Sequence, residues 1–140
     1  MLVRNSVGSN KLWEDHILNF VTKYNEKFDL RNIIDFGVNF DYHTVFFSKL
    51  ASHVYSFEHQ IQNQLLQNNI KLNNLDNVTI YNNSFGDETT FVKLPIILSN
   101  IKNWNMGDFT PNIIYSGLNY SSTKSIALDN MNYENIDLIK

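Results

Sequence analysis

From Lys11 to about Phe28 the apolar residues Leu12, Trp13, Ile17, Phe20, Val21 and Tyr24 recur at spacings of three and four, with polar residues between them. That period predicts an amphipathic helix, with Asn10 placed to cap it and Glu14 and Asp15 in its first turn. Residues 31–36 (RNIIDF) form a short β-branched run that meets Gly37, and they read as a buried strand. Helical spacing returns from Tyr42 to Ala51 through Val45, Phe46 and Leu50. Val54-Tyr55-Ser56-Phe57 reads as a second strand, Ile61 to Leu72 as a helix, Asn73–Asn77 as a turn and Val78–Tyr81 as a third strand.

This strand–helix–strand–helix–strand alternation predicts the α/β class: a Rossmann-like, doubly wound, mostly parallel sheet with flanking helices on both faces. After Asp87 the pattern weakens. Thr89–Leu94 reads as a strand ending at Pro95, Leu98, Ile101 and Trp104 as a short helix or turn, and 112–118 and 123–128 as a pair of strands. The apolar run at 135–140 reads as another buried strand. Residues 1–9 are polar and predict a loose arm, leaving 10–140 as one domain.

Composition narrows the function classes. At 43% hydrophobic and 18% charged, the 140 residues have enough apolar material for a core. No apolar run reaches the 18 or so residues that span a bilayer, and the N-terminus lacks an apolar segment of signal type, so a cytoplasmic or intracellular protein without membrane contact is expected. With no cysteine there is no disulfide framework and no thiol nucleophile. A net charge of −3 and scattered basic residues argue against a nucleic-acid partner. The 22 Asn and 14 Ile against 2 Ala, and 9 Lys against 2 Arg, suggest an AT-rich genome. Individual asparagines, including those in the three Asn-x-Ser/Thr sequons, therefore carry little functional information.

The chemistry-bearing stretch is Asp35-Phe36-Gly37-Val38-Asn39-Phe40-Asp41, between the first strand and its helix. Ligands of open parallel sheets bind at the carboxyl ends of strands. Gly37 allows a tight turn beside a ligand, and Glu58 closes the second strand, where an acid can accept hydrogen bonds from ribose hydroxyls. The same residues equally suit a plain strand-to-helix turn and a solvated strand end. The histidines show no zinc spacing, and Ser48 and Ser56 lack a nucleophile elbow. Asp108, Asp129 and Asp137 read as turn and strand-end residues. Phe46, Phe47, Tyr55 and Phe57 read as core, Trp104 and Phe109 as local packing or an acceptor pocket.

Ile33-Ile34-Asp35-Phe36-Gly37-Val38-Asn39-Phe40-Asp41-Tyr42-His43-Thr44 resembles the first motif, I-D-x-G-A-N-x-G-x-x-T, of FkbM-type class I S-adenosylmethionine-dependent methyltransferases. Val54-Tyr55-Ser56-Phe57-Glu58 is similar to V-x-A-F-E-P, Asn69–Asn73 to N-I-x-L-N, and Ser84-Phe85-Gly86-Asp87 to A-L-G-D. Ala127–Met131 is similar to T-L-D-x-L and Ile136-Asp137-Leu138-Ile139-Lys140 to I-D-L-I-K. The resemblance covers residues 31–140. It implies S-adenosylmethionine as cofactor, with Asp35 and Gly37 beside its methionine part, Asn39 and Asp41 in the loop, Glu58 on the ribose hydroxyls, and Ser84 and Phe85 at the adenine. It also implies transfer of a methyl group to a hydroxyl of a sugar, glycan or other small acceptor. No catalytic base is identified and no metal is expected.

Three departures qualify that implication. Asp41 stands where the motif has its second glycine, His59 stands where it has proline, and the chain stops at Lys140 before the family's following I-D-x-E-G, so the last part of the sheet is expected to be missing. A second expectation follows: a methyltransferase fold without catalysis, serving as a structural, assembly or binding component of a virus or symbiont. Its exposed sheet edge would meet a protein partner or a second copy of the chain.

Overall fold

The computed structural model describes residues 14–38, 42–59, 62–96, 112–114 and 116–140. The expected arm at 1–9, Asn10, Asn39, Asp41, Trp104, Asp108 and Phe109 lie outside the described residues.

Helix α1 spans Asp15–Asn25, β1 Asn32–Phe36, α2 Tyr42–Phe47, β2 His53–Phe57, α3 Gln62–Leu72, β3 Val78–Tyr81, β4 Ser84–Gly86, β5 Thr90–Ile96, β6 Asn119–Ala127 and β7 Ile136–Ile139. Strands β3, β2, β1 and β7 form one sheet in that order, parallel throughout. The α/β architecture and the parallel sheet read from the alternation of elements are therefore present. β1 is central, with Ile33, Ile34 and Asp35 fully buried, as a strand covered on both faces requires.

Alternation along the strands sorts the side chains. Ile33, Val54 and Val78 share one face by register, and Val21 of α1 and Phe47 of α2 pack on it. Leu66 and Ile70 of α3 pack on Val78 and Ile80 of the same face. The three described helices thus lie on one side of the sheet rather than on both. The opposite side carries a row of rings across the carboxyl ends of three strands: Phe36, Phe57 and Tyr81, with centroid separations of 5.1 and 4.7 Å. Deeper on that side, Tyr133 packs on Tyr55 at 4.4 Å.

Helix α3 ends where its sequence dictates. Asn74 adopts a left-handed φ of 52°, its N–H donates to the Lys71 carbonyl, and the Leu75 N–H donates to the Ile70 carbonyl. This is a Schellman closure with asparagine in the usual glycine place, and Leu75 folds back onto Leu66 and Ile70.

The weakly patterned region differs from expectation. β5 and β6 form an antiparallel pair, and β4 joins β6 on its other side. β5 runs through Pro95 to Ile96 because it is an edge strand, where a missing N–H costs no ladder bond on the open side. The two expected strands at 112–118 and 123–128 are instead one nine-residue strand, β6. Gly117 at φ +80° turns the chain before it, and Ile113 and Ile114 are exposed. Asn112 binds the outer edge of β5: its N–H donates to the Lys93 carbonyl, and its side-chain oxygen accepts the Lys93 N–H, each at 3.0 Å.

Candidate functional site

The carboxyl ends of β1 and β2 are tied directly to each other. Gly37, just past β1, has φ +64°, a conformation glycine adopts freely, and its N–H donates to the Phe57 carbonyl at 3.1 Å. The next residue after Phe57 is Glu58, whose N–H donates to the Tyr81 carbonyl at 3.0 Å. The glycine turn and the acid are therefore held side by side at one end of the sheet. A Cβ built on Gly37 meets no described atom within 4 Å, so among the described residues glycine is required there by backbone conformation and not by a close contact.

Glu58 is held from two sides. Its carbonyl accepts a 2.9 Å bond from Asn63 Nδ2 in the first turn of α3, and Gln67 Nε2 donates to Asn63 Oδ1 at 2.6 Å. His59 Nδ1 lies 3.8 Å from Glu58 Oε1. Burial pushes the His59 imidazole below its ordinary value while the Glu58 carboxylate opposes this. The free N–H that replaces the expected proline thus comes with a side chain set against the acid.

Asp35 lies on β1, two residues before Gly37. It has no exposed surface among the described residues. Oδ2 accepts a 2.7 Å hydrogen bond from the Thr44 hydroxyl, which lies 3.0 Å from Ser56 Oγ. Thr44 has one proton and gives it to Asp35, so the Ser56 hydroxyl donates to Thr44. Oδ1 lies 3.6 Å from Lys140 Nζ. Burial pushes the Asp35 carboxyl up to about 6, against the opposing pull of Lys140 and Thr44.

His43 occupies the first turn of α2, buried against Phe47, with Nε2 3.5 Å from Glu14 Oε2. Burial first and Lys140 second bring its imidazole down to about 4, with Glu14 opposing, so the ring is neutral at pH 7.

Ser84 and Phe85 lie on β4. Phe85 stacks on Phe36 with centroids 3.8 Å apart and remains 37% exposed, extending the ring row to the surface. Ser84 Oγ is buried with no hydrogen-bond partner among the described residues. Of the residues singled out from the sequence, Gly37 and Glu58 come together, Phe85 reaches them through Phe36 and Phe57, and Asp35 lies on β1 two residues before Gly37. Sequence reasoning assigned these roles to none of Asn63, Ser56, Thr44 and Lys140. The last three stand inside the quoted motifs, which gave a signal without a role.

Asp137 anchors β7. Its carboxylate accepts from the Arg31 backbone N–H at 2.7 Å and from the guanidinium at 2.9 Å, which holds the carboxyl down at about 2. Among the described residues no group of three His, Asp or Glu side chains could hold a metal ion, and no helix is long and apolar enough to cross a membrane.

No family model matches the chain, and no curated protein matches it. Solved structures do. An rRNA methylase from Streptococcus thermophilus aligns at 16% identity and TM-score 0.46, over 55% of this chain and 46% of that one. SMU.1697c of Streptococcus mutans, solved in complex with SAH, aligns at 21% identity and TM-score 0.42, over 48% and 40%. The YcgJ protein of Bacillus subtilis aligns at 14% identity and TM-score 0.43, over 49% and 30%. The matched region is less than half of each of these chains.

Proposed function

We propose that this chain is the cofactor-binding part of an S-adenosylmethionine-dependent methyltransferase of FkbM type, acting on a hydroxyl of a sugar or other small acceptor. The observation that carries the reading is the Gly37–Phe57 hydrogen bond. It sets a left-handed glycine turn next to Glu58 at the carboxyl ends of adjacent parallel strands, the arrangement that accepts a nucleoside in open α/β sheets.

The residues fit such a group. Gly37 offers backbone with no described atom within 4 Å of its Cβ position, and the Glu58 carboxylate is an acceptor for vicinal ribose hydroxyls. The buried Ser84 hydroxyl, which has no hydrogen-bond partner among the described residues, and the exposed Phe85 ring are a polar group and a flat surface where the resemblance puts the adenine. Asp35, two residues before Gly37, is the side chain that the resemblance puts nearest the methionine part of the cofactor. The cofactor, when bound, supplies an electrophilic methyl on sulfur. This chain's described residues bind and orient it.

Calorimetric titration with S-adenosylhomocysteine tests the reading. Saturable binding is expected, weakened about tenfold or more in Glu58→Ala, the usual loss for a hydrogen bond to a charged group. No heat and no thermal stabilisation at millimolar ligand would overturn it. The sequence-based alternative, a methyltransferase fold kept as a binding or structural component, then becomes the working reading.

A further inference from the structure

The polar cluster around Asp35 joins three strands and a helix through residues far apart in sequence. We propose that Lys140 is a positioning residue for that loop: its ammonium keeps Asp35 ionised inside the fold, so that the carboxylate holds the Thr44 hydroxyl and fixes the start of α2 against the end of β1.

β7 enters the sheet beside β1, and the ladder continues past its end: the Lys140 N–H donates to the Ile34 carbonyl at 2.9 Å, and the Phe36 N–H donates to the Lys140 carbonyl at 2.8 Å. These two bonds bracket Asp35 and set the register. Lys140 Nζ then lies 3.6 Å from Oδ1, the one Asp35 oxygen without a hydrogen bond among the described residues. A carboxylate with no exposed surface needs a counter-ion, since the desolvation cost otherwise drives it to the neutral form.

Charges from every packed element bear on Asp35. Lys140 on β7 favours the carboxylate, as does the Thr44 hydroxyl on α2, while Glu14 before α1 disfavours it. Ser56 on β2 acts through Thr44. His43, on α2 next to Thr44, is neutral at pH 7 and feels the same Lys140, with His16 of α1 adding a smaller push in the same direction. Lys140 is thus the cation that sets the balance. Protonated, Asp35 becomes a donor itself, and the Ser56–Thr44–Asp35 chain loses its direction. The loop that carries Gly37 lies between the two elements this chain connects.

The test follows the Asp35 carboxyl carbon by NMR against pH in the labelled 140-residue chain and in Lys140→Met and Lys140→Arg. The wild-type midpoint is expected at about 6. Lys140→Met is expected to raise proton affinity at least tenfold, and Lys140→Arg to return it to within about threefold of wild type. A lysine that merely packs its methylene stem would be replaced by methionine with no change in this midpoint, and that result overturns the proposal. Should Lys140→Met not fold, the wild-type Lys140 Nζ nitrogen shift decides. An inflection at the Asp35 midpoint supports the pair, and a flat trace through it overturns the pair. No ligand enters the measurement, so its failure is separate from failure of the cofactor reading.

Discussion

Asp35 and His43 sit in one buried cluster, and their titrations move stability in opposite directions over the same pH range. Burial raises Asp35 from 3.8 to about 6. Between those values the folded chain keeps a proton that the unfolded chain has released, so stability falls as pH rises. Burial lowers His43 from 6.5 to about 4. Between those values the unfolded chain holds a proton that the folded chain lacks, so stability rises with pH. At ~1.4 kcal/mol per tenfold change in proton affinity, each displacement is worth about 3 kcal/mol. The two slopes offset each other between about pH 4 and 6, and the wild-type profile conceals both. Urea unfolding followed by far-UV circular dichroism from pH 4 to 7 separates them in wild type, Asp35→Asn and His43→Phe, the last keeping a ring stacked on Phe47. The stability of Asp35→Asn relative to wild type should climb by about 3 kcal/mol with rising pH, and that of His43→Phe should drop by a similar amount. The offset from wild type at any one pH carries other effects of each substitution; the slope does not. Difference curves that are flat, or that slope the same way, would refute the assignment of these two groups as buried and oppositely displaced.

Gly37→Ala should cost about 1–2 kcal/mol in urea unfolding, all of it from the positive φ, because its Cβ meets no described atom; a cost of a few tenths would mean that the turn is not left-handed in solution. Asp137, held at about 2 by Arg31, contributes stability that is present above about pH 4 and fades as pH falls toward 2. Asp137→Asn should therefore lose stability less steeply than wild type across that interval, and parallel acid-unfolding curves would count against the Arg31 clamp. Phe85→Ala should destabilise the chain by about 1 kcal/mol beyond the lost burial, through its stacking on Phe36; an unchanged midpoint would show that the ring is not seated there.

The parallel half of the molecule was readable because each of its elements carries its own signal. Val78–Tyr81 is bounded as its β-branched run suggests, and α3 stops at Leu72 before the Asn-rich turn. The small sheet was not readable in the same way. Ser84–Gly86 is three residues long with one of them buried, too short for a period, and its partner Ser125–Ala127 lies about forty positions away. Pro95 marked a strand end by local rules, and only the edge position of β5 explains why the strand continues. At the site, the glycine turn and Glu58 were legible from strand-end logic. The Asp35–Thr44–Lys140 connection was not, because it depends on which strand lies beside β1. The asparagine bias also hid roles: Asn77 Nδ2 donates to the Ser48 and Ala51 carbonyls, fastening the turn between α2 and β2.

The placement of β7 next to β1 has a consequence for the order of events during synthesis. The β1–β3 segment with its helices is built from neighbouring stretches of chain and can assemble early, whereas the neighbour that completes the central strand arrives roughly a hundred residues later. At ribosomal speeds that delay is on the order of ten seconds. Throughout it β1 presents an open edge, and Asp35 lacks both the neighbouring strand that closes it off and the ammonium that faces it. Arrival of Lys140 closes the edge and brings the ammonium to Asp35 in one step, making the end of translation of this segment the moment at which the two charges of the cluster meet.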